Sequence, residues 1–141
     1  MSTLNVFVYG ILRPGYRGRR VNFDATISNC TVEGTLYETG YGYPGADFND
    51  IGDGETGDGR VVHGDIYVVD MCDPEQVEWW LYILKMELGA GYAVWHVEVT
   101  VDNEDEPIEA VAFQYLRRTG RRIESGDFLD WVIQEMAEGR R

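Results

Sequence analysis

The residue whose surroundings in the sequence most call for a chemical explanation is Glu87. Projecting residues 74–88 at about 100° per residue puts Val77, Trp79, Trp80, Leu81, Ile83, Leu84, Met86 and Leu88 on one broad apolar arc, with Glu87 in its middle. Glu78, Tyr82 and Lys85 gather on the opposite side, so this predicted helix has a polar face and Glu87 is not on it. A carboxylate so placed either faces a cavity or, if the last turn frays past the packed region, meets water. In the first case burial without a partner disfavours the ion, and the helix C-terminal dipole disfavours negative charge there. Both effects raise a carboxyl pKa toward neutrality, where a general acid/base works best.

A second candidate is the segment Tyr9-Gly10-Ile11-Leu12-Arg13-Pro14-Gly15, which follows an apolar run from Leu4 to Tyr9. Its glycines and proline suit a turn whose successive N–H groups form a small anion-binding nest, although a glycine-bearing turn after a strand is also common without any function. Neither G-x-G-x-x-G nor a Walker pattern is present, so it does not read as a nucleotide loop. His63 and His96 fall beside aliphatic residues on predicted strands, without a Ser, Cys or Asp partner at a motif spacing. Cys30 and Cys72 are far apart and close to no histidine, which argues against a disulfide framework or a zinc site.

The elements that must position these residues are partly legible. Leu4 to Tyr9, Thr31 to Tyr37 and Val61 to Val69 read as strands, the last two carrying Gly34 and Gly64, where a bulge or a close backbone approach is expected. From Thr39 to Arg60 the chain is crowded with Gly and Asp and reads as a long loop, acidic from Ala46 to Asp58. Asp73-Pro74-Glu75-Gln76 is a helix start, with Asp73 as cap and Pro74 in the first turn, and Gly89 and Gly91 supply the stop. Tyr92 to Val101 alternates, with Trp95, Val97, Val99 and Val101 on the buried face, and Ile108 to Leu116 returns after a turn at Asp102 to Pro107. Phe128, Leu129, Val132, Ile133 and Met136 recur at helical spacing behind Ser125. Five strands and two helices, with the strands mostly sequential, predict a single α+β domain over 1–141: a small mixed β-barrel with flanking helices.

The formal net charge of −13 opposes binding to nucleic acid or anionic membranes. Arg13, Arg17, Arg19 and Arg20, and again Arg117, Arg118, Arg121 and Arg122, read as solvated loop residues that ease this charge. No apolar run approaches a membrane span and the first ten residues lack a secretory pattern, so a cytoplasmic protein is expected.

Val8-Tyr9-Gly10-Ile11-Leu12-Arg13 resembles the Y-G-[ST]-L-R signature of the γ-glutamylcyclotransferase-like (AIG2-like) family. Further blocks follow in order. Gly34-Thr35-Leu36-Tyr37 with Gly40 and Tyr43-Pro44-Gly45 resembles G-x-L-Y…G-x-Y-P-G, and Val62 to Val68 resembles V-x-G-x-x-Y-x-V. Leu84-Lys85-Met86-Glu87 followed by Tyr92, Val97 and Val99 is similar to L-D-x-x-E…Y…V-x-V, and Ile123 to Asp127 resembles I-x-S-G-D. Three positions depart from the pattern: Ile11 replaces a small hydroxyl residue, Leu84 an aspartate and Val94 a basic residue.

The resemblance implies a barrel enzyme of transferase or lyase type that converts a γ-glutamyl amide or amine to 5-oxoproline and a free amine, with neither metal nor organic cofactor. It implies Glu87 as the proton-shuttling residue and the Tyr9, Gly10, Ile11, Leu12 and Arg13 segment as the substrate cradle, with the Tyr115 hydroxyl as a further lining candidate. Because the departures remove polar groups, a catalytically silent binding module on the same fold is the alternative. An acidic, nucleic-acid-mimicking interaction protein is a more distant one.

Overall fold

The computed structural model describes residues 2–14, 23, 25–53, 58–117 and 120–139. Gly15, Arg17, Arg19, Arg20, Arg118 and part of the acidic loop lie outside the described residues.

The chain runs β1 (Thr3–Val8), β2 (Ala25–Glu33), β3 (Thr35–Glu38), β4 (Pro44–Asp47), β5 (Gly52–Asp53), β6 (Asp58–Gly59), β7 (Val61–Asp70), α1 (Pro74–Gly89), β8 (Tyr92–Val101), β9 (Ile108–Tyr115) and α2 (Phe128–Ala137). The strand order β1-β7-β2-β8-β9 closes on itself because Val6 of β1 pairs with Val111 of β9 in parallel, while the other neighbours in the ring are antiparallel. The result is a closed five-stranded mixed barrel, to which β4 adds along β9, and β3 along β4. Closure removes the open sheet edge and encloses one apolar core that includes Val6, Phe7, Val62, Ile66, Tyr67, Val99 and Ala112. Gly64 on β7 is a point of close approach, since a Cβ there would lie 2.3 Å from the Val8 carbonyl oxygen.

α1 forms where the sequence signals it. The Asp73 carboxylate accepts the Glu75 N–H at 3.0 Å. Gln76 donates to the other Asp73 oxygen at 3.2 Å and accepts the Asp70 N–H at 2.8 Å, tying the helix start to the end of β7. At the far end Ala90 caps the helix and Gly91, at φ +98°, turns the chain into β8. The face that packs on the barrel runs through Gln76, Trp80 and Ile83, at i, i+4 and i+7, and the next position on that line is Glu87.

Several expectations need correction. The apolar arc of α1 is narrower than projected, because Leu81 and Leu88 are exposed. Trp95 is also exposed, so the buried face of β8 begins at Val97. Of the α2 residues only Phe128 is fully buried, and Ile133 and Met136 face outward. The segment read as one strand from Thr31 to Tyr37 is the end of β2 and the start of β3. The first half of β2, Ala25 to Asn29, carries little burial and contains a bulge at Asn29, φ +59°, and so lacks the alternation that marks a strand. The Gly- and Asp-rich stretch 39–60 is not all loop, since it carries β4 and the β5–β6 hairpin. Tyr37 donates to the Asp50 carboxylate at 2.6 Å and Arg60 pairs with it at 3.2 Å, holding that stretch to β3.

Candidate active site

Where β1 leaves the barrel, its C-terminal end, the last turn of α1 and the first residues of β4 and β8 converge. The gap between them is a cavity of about 130 Å³, lined by Phe7 to Leu12, Tyr43, Pro44, Met86, Glu87, Ala90, Tyr92 and Phe113. Glu87 and the turn after β1 therefore face one space. Among the described residues Glu87 supplies the one carboxylate of the lining, and no Lys, Arg or His contributes to it. Among the described residues the Glu87 side chain makes no hydrogen bond or ion pair, and burial alone pushes its pKa from 4.5 up to about 7. Its alignment with Trp80 and Ile83 explains this: the side chain is aimed at the barrel, where water is scarce and no cation among the described residues compensates.

The turn opposite is held from several sides. The Arg13 N–H donates to the Gly10 carbonyl at 3.1 Å, closing a four-residue turn. The Tyr9 hydroxyl donates to the Phe113 carbonyl and accepts the Ala46 N–H at 3.2 Å, and the Tyr67 hydroxyl donates to the Leu12 carbonyl. Between these anchors the N–H groups of Gly10, Ile11 and Leu12 have no protein acceptor among the described residues. Gly10 also lies against Pro44: a Cβ there would come within 2.9 Å of the proline ring.

Tyrosines form the rest of the wall. Tyr92 donates to the Pro44 carbonyl, and its ring centroid lies 6.0 Å from that of Tyr43 and 5.0 Å from that of Tyr115. Burial, with the Glu87 charge as a lesser cause, holds the pKa of both Tyr9 and Tyr92 well above the ordinary phenol range. Their hydroxyls, each bonded to a backbone carbonyl, act as struts.

Two expected site residues lie outside the cavity. Arg13 is buried, its Nε donating to Asp65 and its Nη1 to Asp127, each at 2.9 Å. It is neither a cavity-lining residue nor a solvated loop charge, because the guanidinium is committed on two sides. Tyr115 lies behind Tyr92 and borders a separate surface hollow with Tyr37, Asp47 and Arg117. Of the three departures only Ile11 reaches the cavity; Leu84 and Val94 are not part of its lining, and Val94 is exposed. Tyr43, Pro44, Met86, Ala90, Tyr92 and Phe113 were not singled out as site residues from the sequence. Tyr43-Pro44 and Tyr92 stand in the quoted motif blocks, which was the available signal.

The family model described as gamma-glutamyl cyclotransferase, AIG2-like, matches residues 6–130, and the chain belongs to that family. Solved structures share the fold. An uncharacterized protein from Pyrococcus horikoshii is 22% identical, with a TM-score of 0.62 over 95% of this chain and 97% of that one. YkqA from Bacillus subtilis is also 22% identical, with a TM-score of 0.63 over 98% of this chain and 43% of that one. An AIG2-like protein from Mus musculus is 17% identical, with a TM-score of 0.56 over 81% of this chain and 78% of that one. No curated protein matches the chain.

Proposed function

We propose that the protein cyclises a γ-glutamyl amide or amine to 5-oxoproline with release of the amine. The observation that carries this reading is the unpaired Glu87 carboxyl, with its pKa near 7, sharing a cavity with the free amides of Gly10, Ile11 and Leu12. The α-amino group of the substrate attacks its own γ-carbonyl, so both reacting groups belong to one molecule and folding it into reach lowers the barrier. Glu87 takes a proton from the α-ammonium, which frees the amine to attack, and hands a proton to the departing nitrogen, which suits a group that exchanges protons freely near neutral pH. The three amides hold the substrate carboxylate or the oxyanion that forms at the γ-carbon. Release of 5-oxoproline from a γ-glutamyl alkylamide, lost in Glu87→Gln, tests the reading.

One observation favours a second reading, a silent binding module: Ile11 and the aromatic walls leave the cavity few polar groups beyond Glu87 and the turn amides. Such a module would be stabilised by ligand yet release no product.

A further inference from the structure

The block Ile123 to Asp127 has no part in the cavity lining, yet Ile123 and Gly126 anchor it to the barrel. Ile123 is buried, and its N–H donates to the Leu36 carbonyl at 2.7 Å. Gly126 adopts φ +69°, and a Cβ on it would fall 2.0 Å from the Val61 carbonyl oxygen, so no other residue fits without moving β7. The Gly126 carbonyl accepts the His63 N–H at 2.8 Å, riveting the segment to the same strand. What this placement delivers is Asp127. One oxygen of its carboxylate both caps α2, by accepting the Asp130 N–H at 3.2 Å, and accepts Nη1 of Arg13 at 2.9 Å. Asp65, one residue beyond Gly64 on β7, takes the Nε of the same guanidinium at 2.9 Å.

Arg13 is the last residue of the turn that carries the free amides, so whatever fixes Arg13 fixes one end of that turn. A guanidinium held at two points by carboxylates in different elements has little rotational freedom. We infer that Asp127, acting with Asp65 through Arg13, is a positioning residue that sets the Gly10–Leu12 amides against the cavity. The effect on catalysis rests on the function proposed above; the effect on the turn does not. On this view the Ser-Gly-Asp block at the start of α2 is a clasp reaching 114 residues along the chain to the first loop.

The test separates clasp from cap. Asp127→Ser keeps a side-chain oxygen suited to capping α2 but is too short to reach Arg13, whereas Asp127→Asn keeps an acceptor at full length without the charge. With a γ-glutamyl alkylamide as probe, kcat/KM should fall about ten- to hundred-fold in Asp127→Ser and less in Asp127→Asn, the cost expected of an ångström-scale misplacement. Amide ¹H–¹⁵N spectra supply a readout independent of turnover: the Gly10, Ile11 and Leu12 signals should shift in Asp127→Ser while those of the barrel strands stay. An unchanged kcat/KM, or unchanged signals at those three amides in a folded variant, overturns the inference. If the wild type releases no 5-oxoproline, the proposed activity fails, and the amide spectra alone decide whether the clasp holds the turn.

Discussion

Replacing Glu87 by Gln removes the one carboxylate that the described residues contribute to the cavity lining and leaves its shape nearly intact. Because burial raises the pKa of this carboxyl, the protonated form is the one the folded chain prefers. Below pH 4.5 the group is protonated in both folded and unfolded chains and contributes no pH-dependent penalty. As pH rises, the unfolded chain ionises first, stability falls, and the loss is complete once pH passes about 7, where the folded chain ionises too. The rise from 4.5 to about 7, at about 1.36 kcal/mol per pH unit, corresponds to roughly 3 kcal/mol. Glu87→Gln should therefore gain about 3 kcal/mol over the wild type between acid and mildly alkaline pH. The assay is urea unfolding of both proteins at about pH 4 and about pH 8.5, reading the change in the difference between them. A difference that does not change with pH, or a Gln variant that becomes relatively less stable at the higher pH, refutes the placement of Glu87 as an unpaired, desolvated acid.

Gly10→Val should raise KM at least about ten-fold or loosen the turn, because even a Cβ there would press on Pro44 and a larger side chain would intrude on the turn amides. Steady-state kinetics beside a thermal unfolding midpoint distinguish the two effects, and unchanged values of both would place the cradle elsewhere. Tyr115→Phe should keep kcat/KM within about two-fold, since a hydroxyl outside the cavity stabilises no transition state. A large loss would return Tyr115 to the site. With Ile11 and aromatic walls in the lining, selection should rest on shape. A γ-glutamyl alkylamide should exceed glutathione in kcat/KM by about ten-fold or more, a ratio that one or two well-packed methylenes can supply. A preference for glutathione at low and moderate salt alike would contradict this.

The parts of the fold visible in the sequence are those whose local pattern and tertiary role agree. Asp73-Pro74 and Gly91 bracket α1 because capping and left-handed turns have few chemical solutions. The apolar end of β1, Val6 to Val8, is visible because it is covered on both faces. Leu81, Leu88, Ile133 and Met136 misled because periodicity reports which residues share a side, not whether anything packs there. The first half of β2 was hidden for the opposite reason: its pairing with β7 is real, but its side chains are mostly exposed and it bulges at Asn29. At the site, Glu87 stood out because a charge on an apolar line is a local contradiction. Arg13 was misread because its partners, Asp65 and Asp127, lie 52 and 114 residues away, and no local spacing rule reaches that far. The tyrosine wall is likewise assembled by barrel closure, which brings Tyr43, Tyr92 and Phe113 to one end of β1.

The most direct test of the central claim is the pH dependence of 5-oxoproline release from a γ-glutamyl alkylamide by the wild type and by Glu87→Gln. The ionised carboxyl is the competent base, so wild-type kcat/KM should climb through an acidic limb with an apparent pKa near 7. The Gln variant, folded and at least as stable above that pH, should release no 5-oxoproline above background. Turnover by Glu87→Gln comparable to the wild type, or a wild-type profile with no limb near pH 7, would contradict the assignment of Glu87 as the proton shuttle.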